Sequence, residues 1–422
     1  MRISFLASIA LSCALPIWAT ILQNGQIRED PYPGQAANIT LDNSWRTYDA
    51  NAEEIAYKGR WDSRHISWWS APGIKIGFTG TRLAVSFGES TSDGVLLAYR
   101  VGSLDWQFSN VTADATYQFV TPDTFNGIHV GDNNVFELRG IHELGPRISK
   151  SEPAASSLLT SHTVQIAGIS VAQNASLSKP QAFDKRVEII GGSLASGQFA
   201  TYEAISGWAF LFAEGLGNAE YTITAYPGVC LADMKCYGGG VHGMPWFWHR
   251  ASDPGVRAQA LYGDDPERFD VNGSQPADLV IIQMGGNDYR KPNEISGDDY
   301  YHDYVRLVDD IIHTWPRATI VLMSQWGEWT LEGTEYVPST LYKDETKRVH
   351  DHFKEHAYVR YFETRGILQH NDIDPKNHPT DVGHVKIASH LLQWTRIMMR
   401  WDIEPTGEVQ HGTLYWNDQQ EY

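Results

Sequence analysis

The chain has 422 residues, a formal net charge of −18 and three cysteines. Such a charge argues against a nucleic-acid partner, whose phosphates call for a basic surface, and suits a well-solvated protein. The length exceeds one comfortable hydrophobic core, so two domains are expected.

Residues 1–19 read as a secretory signal peptide: Arg2 gives a positive start, 3–15 is apolar, and Ala19 offers a small residue for cleavage. The apolar run is short of the roughly 20 residues that span a bilayer, and no later stretch approaches that length. A secreted, extracellular protein without a membrane partner is expected. Four Asn-x-Ser/Thr sequons, at Asn38, Asn110, Asn174 and Asn272, agree with that route and with glycosylation. Cys13 leaves with the peptide, so Cys230 and Cys236 remain in an oxidising compartment and read as a local disulfide. Two thiolates without a second Cys/His pair do not fill a zinc shell, and no metal or organic cofactor is implied.

From 20 to 172 the texture is strand-like. Short apolar runs at 54–61, 66–69, 73–78, 82–87, 95–101, 117–120, 135–138 and 162–171 are separated by Gly, Asp, Asn and Thr turns. That pattern predicts an antiparallel β-sandwich. Residues 173–185 are polar, carry a sequon and read as a linker. From 186 to 405 the rhythm becomes strand, loop, helix. Strands are expected at 186–190, 277–283 and 318–323, and helices at 198–212, 298–314 and 385–399. This predicts a three-layer α/β/α domain with a mostly parallel sheet, followed by a tail over 406–422.

Three islands at the ends of these strands carry chemistry. Gly191-Gly192-Ser193-Leu194 offers a serine after a buried strand; the alternative is an ordinary helix cap. Gly285-Gly286-Asn287-Asp288 offers glycines and an amide, or a tight turn. His378-Pro379-Thr380, closing on Gly383-His384, offers a base, or a surface histidine. Taken jointly and in this order they supply a nucleophile, an oxyanion donor and a base, the parts that acyl transfer requires.

The islands resemble the blocks of SGNH (GDSL-type) hydrolases, with Tyr226-Pro227-Gly228-Val229 as a weaker second block. The resemblance implies Ser193 as nucleophile, His378 as base, and an oxyanion hole made by the Ser193 and Gly228 amides and the Asn287 side chain. With the sandwich in front, and with Lys58-Gly59-Arg60-Trp61 and Ser67-Trp68-Trp69 as similar opening strands, the chain resembles the family 2 carbohydrate esterases. That likeness implies a jelly-roll-like front domain and removal of O-acetyl groups from plant cell-wall polysaccharides such as xylan or glucomannan. Two departures stand out. Gly192 occupies the place of an aspartate before the nucleophile, and the triad aspartate's place falls on Pro375. Asp374, Asp372 or a backbone carbonyl is then left to orient His378.

The fifteen tryptophans and twenty tyrosines allow sugar stacking or plain core packing. Trp326, after the 318–323 strand, and Trp246, in the loop following Cys236, are the candidates for substrate walls. Two rival readings are a general secreted lipase or esterase, and a carbohydrate-binding pseudoenzyme that has lost catalysis.

Overall fold

The computed structural model describes residues 22–23, 26–27, 35–125, 134–141, 163–237, 240–273, 275–326, 329–338, 341–374 and 376–403. The signal-peptide and tail expectations, and Pro375, lie outside these residues.

The front half is built from antiparallel strands: β1 (Ala37–Asn38), β2 (Trp45–Asp49), β3 (Ala56–Trp61), β4 (Ser67–Phe78), β5 (Leu83–Phe87), β6 (Val95–Val101), β7 (Gln107–Val111), β8 (Thr116–Val120), β9 (Asn134–Gly140) and β10 (Ile166–Ala172). One sheet runs β1-β8-β5-β10-β2, and a second sheet carries β4-β9-β6-β7 with β3 paired to β4. Period-two alternation sends Ile74, Ile76 and Phe78 of β4 and Leu83, Val85 and Phe87 of β5 into one apolar cluster between them. The expected runs at 66–69 and 73–78 are a single long strand.

The back half adds β11 (Leu177–Ser178), β12 (Lys185–Gly191), β13 (Ala219–Ala225), β14 (Leu279–Gln283), β15 (Thr319–Met323), the hairpin β16 (Trp329–Glu332) and β17 (Glu335–Pro338), and β18 (Val359–Phe362). Strands β18-β15-β14-β12-β13 are parallel neighbours. Among the described residues seven helices accompany them: α1 (Trp208–Leu216), α2 (Met244–Phe247), α3 (Val256–Tyr262), α4 (Gly286–Tyr289), α5 (Gly297–Thr314), α6 (Lys343–His352) and α7 (Asp381–Met399). Ile189, Ile281 and Val321 pack with α1 and α7, whereas Ile190, Ile282 and Leu322 pack with α5 and α6. Successive side chains of a strand point to opposite faces, so each face carries its own helices.

Three expectations are corrected. The 173–185 stretch is not a free linker: β11 within it pairs with β4, and the two sheets continue into each other where Ile223 of β13 pairs with Ser70 of β4. The helix expected at 198–212 begins only at Trp208, after turns and a short 3-10 segment at Glu203–Ile205. Ser193 therefore does not sit at a helix N-terminus, and no helix dipole acts on it there. Strands β13 and β18 were not anticipated; both carry polar residues that break an apolar run (Glu220, Thr222 and Thr224; Arg360).

Buried charges tie the halves together. The fully buried Arg60 of β3 donates to Glu188 of β12 at 3.1 Å and to the carbonyls of Trp248 and Arg250 at 2.5 and 2.9 Å. Thr224 donates to the same Glu188 oxygen at 2.6 Å. Burial lowers the Arg60 pKa and raises that of Glu188, so each needs the other to stay charged. A second set joins Arg100 of the front sheet to Glu137 and to Glu214 of α1, at 2.7 and 2.8 Å.

Removing one member of a buried pair strands the other. Arg60→Ala is expected to lower unfolding free energy by about 3–5 kcal/mol, read from denaturant midpoints. The double replacement Arg60→Met with Glu188→Gln should recover much of that loss; no recovery would mean the pair is not the source of the cost.

Candidate active site

The site forms where β12, β14 and β15 end. The chain leaves β12 through Gly191, where an added Cβ would lie 2.4 Å from the Ala195 Cβ, so only glycine permits the tight turn that presents Ser193. It leaves β14 through Gly285, where φ is 124° and an added Cβ would lie 2.8 Å from the Tyr300 ring, so a side chain is excluded. Thr380 caps α7 by accepting from the Gly383 amide at 3.2 Å, which sets the preceding loop and its histidine over the sheet end.

These turns bring Ser193 Oγ and His378 Nε2 to 2.9 Å. The other imidazole nitrogen, Nδ1, lies 2.9 Å from the Lys376 carbonyl oxygen and donates to it, which leaves Nε2 free to accept from the serine hydroxyl. The backbone carbonyl is thus the group that orients the base. Asp374 does not bond to the ring: its Oδ1 accepts from the Lys376 and His378 amides, both at 2.9 Å. It shapes the loop that aims the carbonyl, which corrects its placement among the catalytic side chains. Asp372 is further removed, accepting from the Gln369 amide and from Lys386 at 2.8–2.9 Å.

Burial pushes the His378 pKa below its ordinary 6.5, opposed by the Lys376 carbonyl and Asp374 and reinforced by Arg290 and Lys376. The base is therefore neutral, as proton acceptance requires, at neutral pH.

Neither the Ser193 nor the Gly228 amide donates a hydrogen bond among the described residues. Gly228 takes φ 80° in a turn where the Val229 amide donates to the Tyr226 carbonyl at 3.4 Å. The Asn287 amide nitrogen donates to the Val229 carbonyl at 3.0 Å with one hydrogen and keeps a second. A Cβ on Gly192 would sit 3.4 Å from that nitrogen, so the missing aspartate leaves its place beside Asn287 open. Ser193, Asn287 and His378 line one cleft of about 520 Å³ together with Leu194, Val229 and Trp326.

Trp326 is 5% exposed and forms part of the cleft's wall. Trp246 is elsewhere. Its ring stacks on His242 at 4.4 Å, carries the Arg250 guanidinium at 3.9 Å, and lines a separate cavity of about 350 Å³. Trp246 therefore does not wall the cleft that holds Ser193, contrary to the expectation from sequence, and His242 and Arg250 already cover its ring. Cys230 and Cys236 are disulfide-bonded. Asn38, Asn174 and Asn272 are exposed. Asn110 differs: its amide donates to the Gly94 carbonyl at 2.6 Å and its oxygen is buried, so that side chain is not presented to a glycosylating enzyme.

Several working parts carried no sequence signal of their own. Asp288 is buried and accepts from the Leu231 and Ala232 amides at 3.0 and 2.8 Å, fixing the disulfide loop beside the cleft. Its presence in the Gly-Gly-Asn-Asp island was the available clue. His384 accepts from the Trp208 amide at 3.0 Å, and burial pushes its pKa down to about 3, so it caps α1 as a neutral ring. Arg290, Gln325, Leu341 and Asn377 line the cleft without any motif to announce them.

Residues 189–386 match the model of the GDSL-like lipase/acylhydrolase family. No curated protein sequence matches the chain. Solved structures do. A family 2 carbohydrate esterase from Clostridium thermocellum in complex with cellohexaose aligns with TM-score 0.61 and 19% identity, over 82% of this chain and 100% of that one. A family 2 carbohydrate esterase from Cellvibrio japonicus aligns with TM-score 0.62 and 17% identity, over 85% and 99%. An acetyl xylan esterase from the rumen bacterium Butyrivibrio proteoclasticus aligns with TM-score 0.63 and 13% identity, over 85% and 100%. The chain has an SGNH hydrolase fold with a β-rich front half, resembling the family 2 carbohydrate esterases.

Because the neutral imidazole is the active form and its pKa is depressed, ester hydrolysis should rise with pH along an acid limb centred below 6.5 and stay level above it. A kcat/KM profile centred at or above the ordinary histidine value would contradict this electrostatic picture. Asp374→Asn should slow hydrolysis by less than about tenfold, far from the roughly 10⁴ lost when a ring-bonded triad carboxylate is neutralised. Steady-state kinetics on the variant decide between the two roles.

Proposed function

We propose that the protein is a secreted serine esterase that removes O-acetyl groups from plant cell-wall polysaccharides, xylan or glucomannan, through an acyl-enzyme on Ser193. The observation that carries this reading is the 2.9 Å approach of Ser193 Oγ to a neutral His378 Nε2, with the Ser193 amide left unpartnered among the described residues. Likeness in fold to carbohydrate esterases supports the ester and the sugar, and the sequence of residues 1–19 supports secretion.

In the reaction, the Ser193 hydroxyl proton passes to His378 Nε2 as Oγ bonds to the acetyl carbon. The carbonyl oxygen takes the charge and accepts from the Ser193 and Gly228 amides and the second Asn287 hydrogen. The bond from the acetyl carbon to the sugar oxygen then breaks, and that oxygen leaves with the proton from His378. Water repeats the steps: its proton goes to His378, its oxygen bonds to the acetyl carbon, and acetate departs as Ser193 recovers its proton. The Lys376 carbonyl holds the imidazole's tautomer throughout and faces the charge that the ring acquires.

The intact Ser193–His378 contact favours this over the pseudoenzyme reading, since a binding module has no physical use for it. A lipase would need a long apolar groove for an acyl chain, and the cleft's lining mixes Leu194, Val229, Trp326 and Leu341 with Gln283, Gln325, Asn377 and Arg290.

Acetate release from acetylated xylan and glucomannan is the direct assay. The wild type should release acetate, and Ser193→Ala should reduce release by several orders of magnitude, about 10³ or more, while remaining folded. Folded wild-type protein that binds either polysaccharide but frees no acetate would transfer the reading to carbohydrate binding.

A further inference from the structure

The turn that follows Ser193 holds a bulky residue in a conformation that bulky residues avoid. Phe199 has φ 72° and is 41% exposed, although it is a large apolar side chain. Left-handed backbone at a non-glycine residue is strained and persists only where neighbours enforce it, commonly at functional sites. With so much of the ring in water, core burial is not what holds it there.

What the ring does touch is specific. It stands edge-on to the His378 imidazole, with centroids 4.8 Å apart and planes at 89°. The Lys376 ammonium lies 4.5 Å from the centre of the same ring, within cation–π range. Lys376 is also the residue whose carbonyl accepts from His378 Nδ1. One aromatic ring therefore touches the side chains of both residues that this hydrogen bond joins. We propose that Phe199 is a positioning residue, a clamp that holds His378 against the Lys376 carbonyl and keeps water from one edge of the imidazole.

The physical need for such a clamp follows from the missing carboxylate. A neutral carbonyl grips an imidazole less strongly than a charged acceptor does, and it sits on an exposed loop residue. The edge-to-face contact restrains the ring from the nucleophile's side, and the ammonium–ring contact restrains the loop. The loop of Phe199 is anchored to α7 in turn, since the Thr201 amide donates to Asp381 at 2.8 Å. The ionisable groups acting on His378 are Asp374 and Lys376 from its own loop, Arg290 from the segment after α4, and the neutral His384 of α7. Phe199 adds no charge to this set. Its contribution to the depressed pKa is exclusion of water, the same sense as the burial that dominates the shift.

The inference rests on the esterase reading of the dyad, so its test uses a readout that does not need turnover. Phe199→Asn and Phe199→Gly remove the ring and also relieve the backbone, because both residues accept left-handed φ. Phe199→Tyr keeps the ring. Full-length proteins would be compared by NMR titration of His378, thermal unfolding, and kcat/KM for 4-nitrophenyl acetate against pH.

In Phe199→Asn and Phe199→Gly, Tm should hold or rise, His378 should titrate at higher pH than in the wild type, and plateau kcat/KM should fall roughly tenfold as the base loses alignment. Phe199→Tyr should match the wild type in all three. The clamp is overturned if the ring-less variants titrate His378 as the wild type does, or if Phe199→Tyr behaves like Phe199→Asn. A lowered Tm with unshifted titration would assign Phe199 a purely structural part and also overturn it. A wild type that turns over no ester, yet shows the Phe199-dependent titration, would sink the esterase reading and leave the clamp standing.

Discussion

One strand belongs to two cores, and the rest of the molecule is arranged around that fact. The first residues of Ser67–Phe78 put Trp68 and Trp69 into the apolar cluster of the back half, while Ile74, Ile76 and Phe78 pack in the front half. Between them the chain pairs Ser70 with Ile223, and Trp69 and Ala71 take φ 68° and 50°. Strain of this kind survives only under strong constraint. The constraint is visible in the Trp69 indole, which donates to the Ala251 carbonyl at 3.0 Å, and in Ser70, which donates to the Ala225 carbonyl at 2.9 Å. A front half joined this way cannot swing as a module on a tether. Its residues act as structural walls for the catalytic half: Phe108 stacks on Tyr202, at 4.2 Å, in the very loop that leaves Ser193.

The carboxylates around the site share a second logic. Asp288, Asp372 and Asp374 each accept from backbone amides rather than facing the reaction. Burial raises the Asp288 pKa to about 6 even though backbone amides oppose it, so holding it ionised costs the fold stability, and that cost is relieved as pH falls through that value. Each one secures a loop whose backbone or neighbouring side chain meets the chemistry. Asp288 secures 231–232 next to Val229, Asp372 receives the Thr380 amide at its carbonyl, 2.8 Å away, and Asp374 sets the Lys376 carbonyl. The acidic residues build the site, and neutral groups operate it.

This division explains what could be read from the sequence. The three islands were legible because the functional atoms are side chains, at two strand ends and in the loop before α7, and because glycine at 191 and 285 is sterically required. The helices at 297–314 and 381–399 were legible from apolar periodicity, whereas β4 was read as two separate runs. The Lys376 carbonyl was not, because every residue has a carbonyl and only loop geometry selects one. Trp246 misled for a related reason: composition reports that an aromatic is present, not that His242 and Arg250 already sit against it. The helix expected from residue 198 failed where Gly197 and Phe199 both take positive φ, 73° and 72°, a conformation no helix tolerates.

The neutral acceptor on His378 has a consequence for how the dyad must work. A charged partner stabilises the imidazolium that forms in the transition state; a peptide carbonyl does so only through its dipole. The stabilisation must then come from the other side of the reaction, where charge appears on the ester oxygen. Among the described residues the Ser193 amide makes no hydrogen bond and Asn287 keeps a second amide hydrogen, and both residues line the cleft. Arg290 adds positive charge to the same cleft, which disfavours protonated His378 but favours a developing oxyanion. A low-pKa imidazolium in turn gives up its proton readily, which is what a departing alcohol oxygen needs.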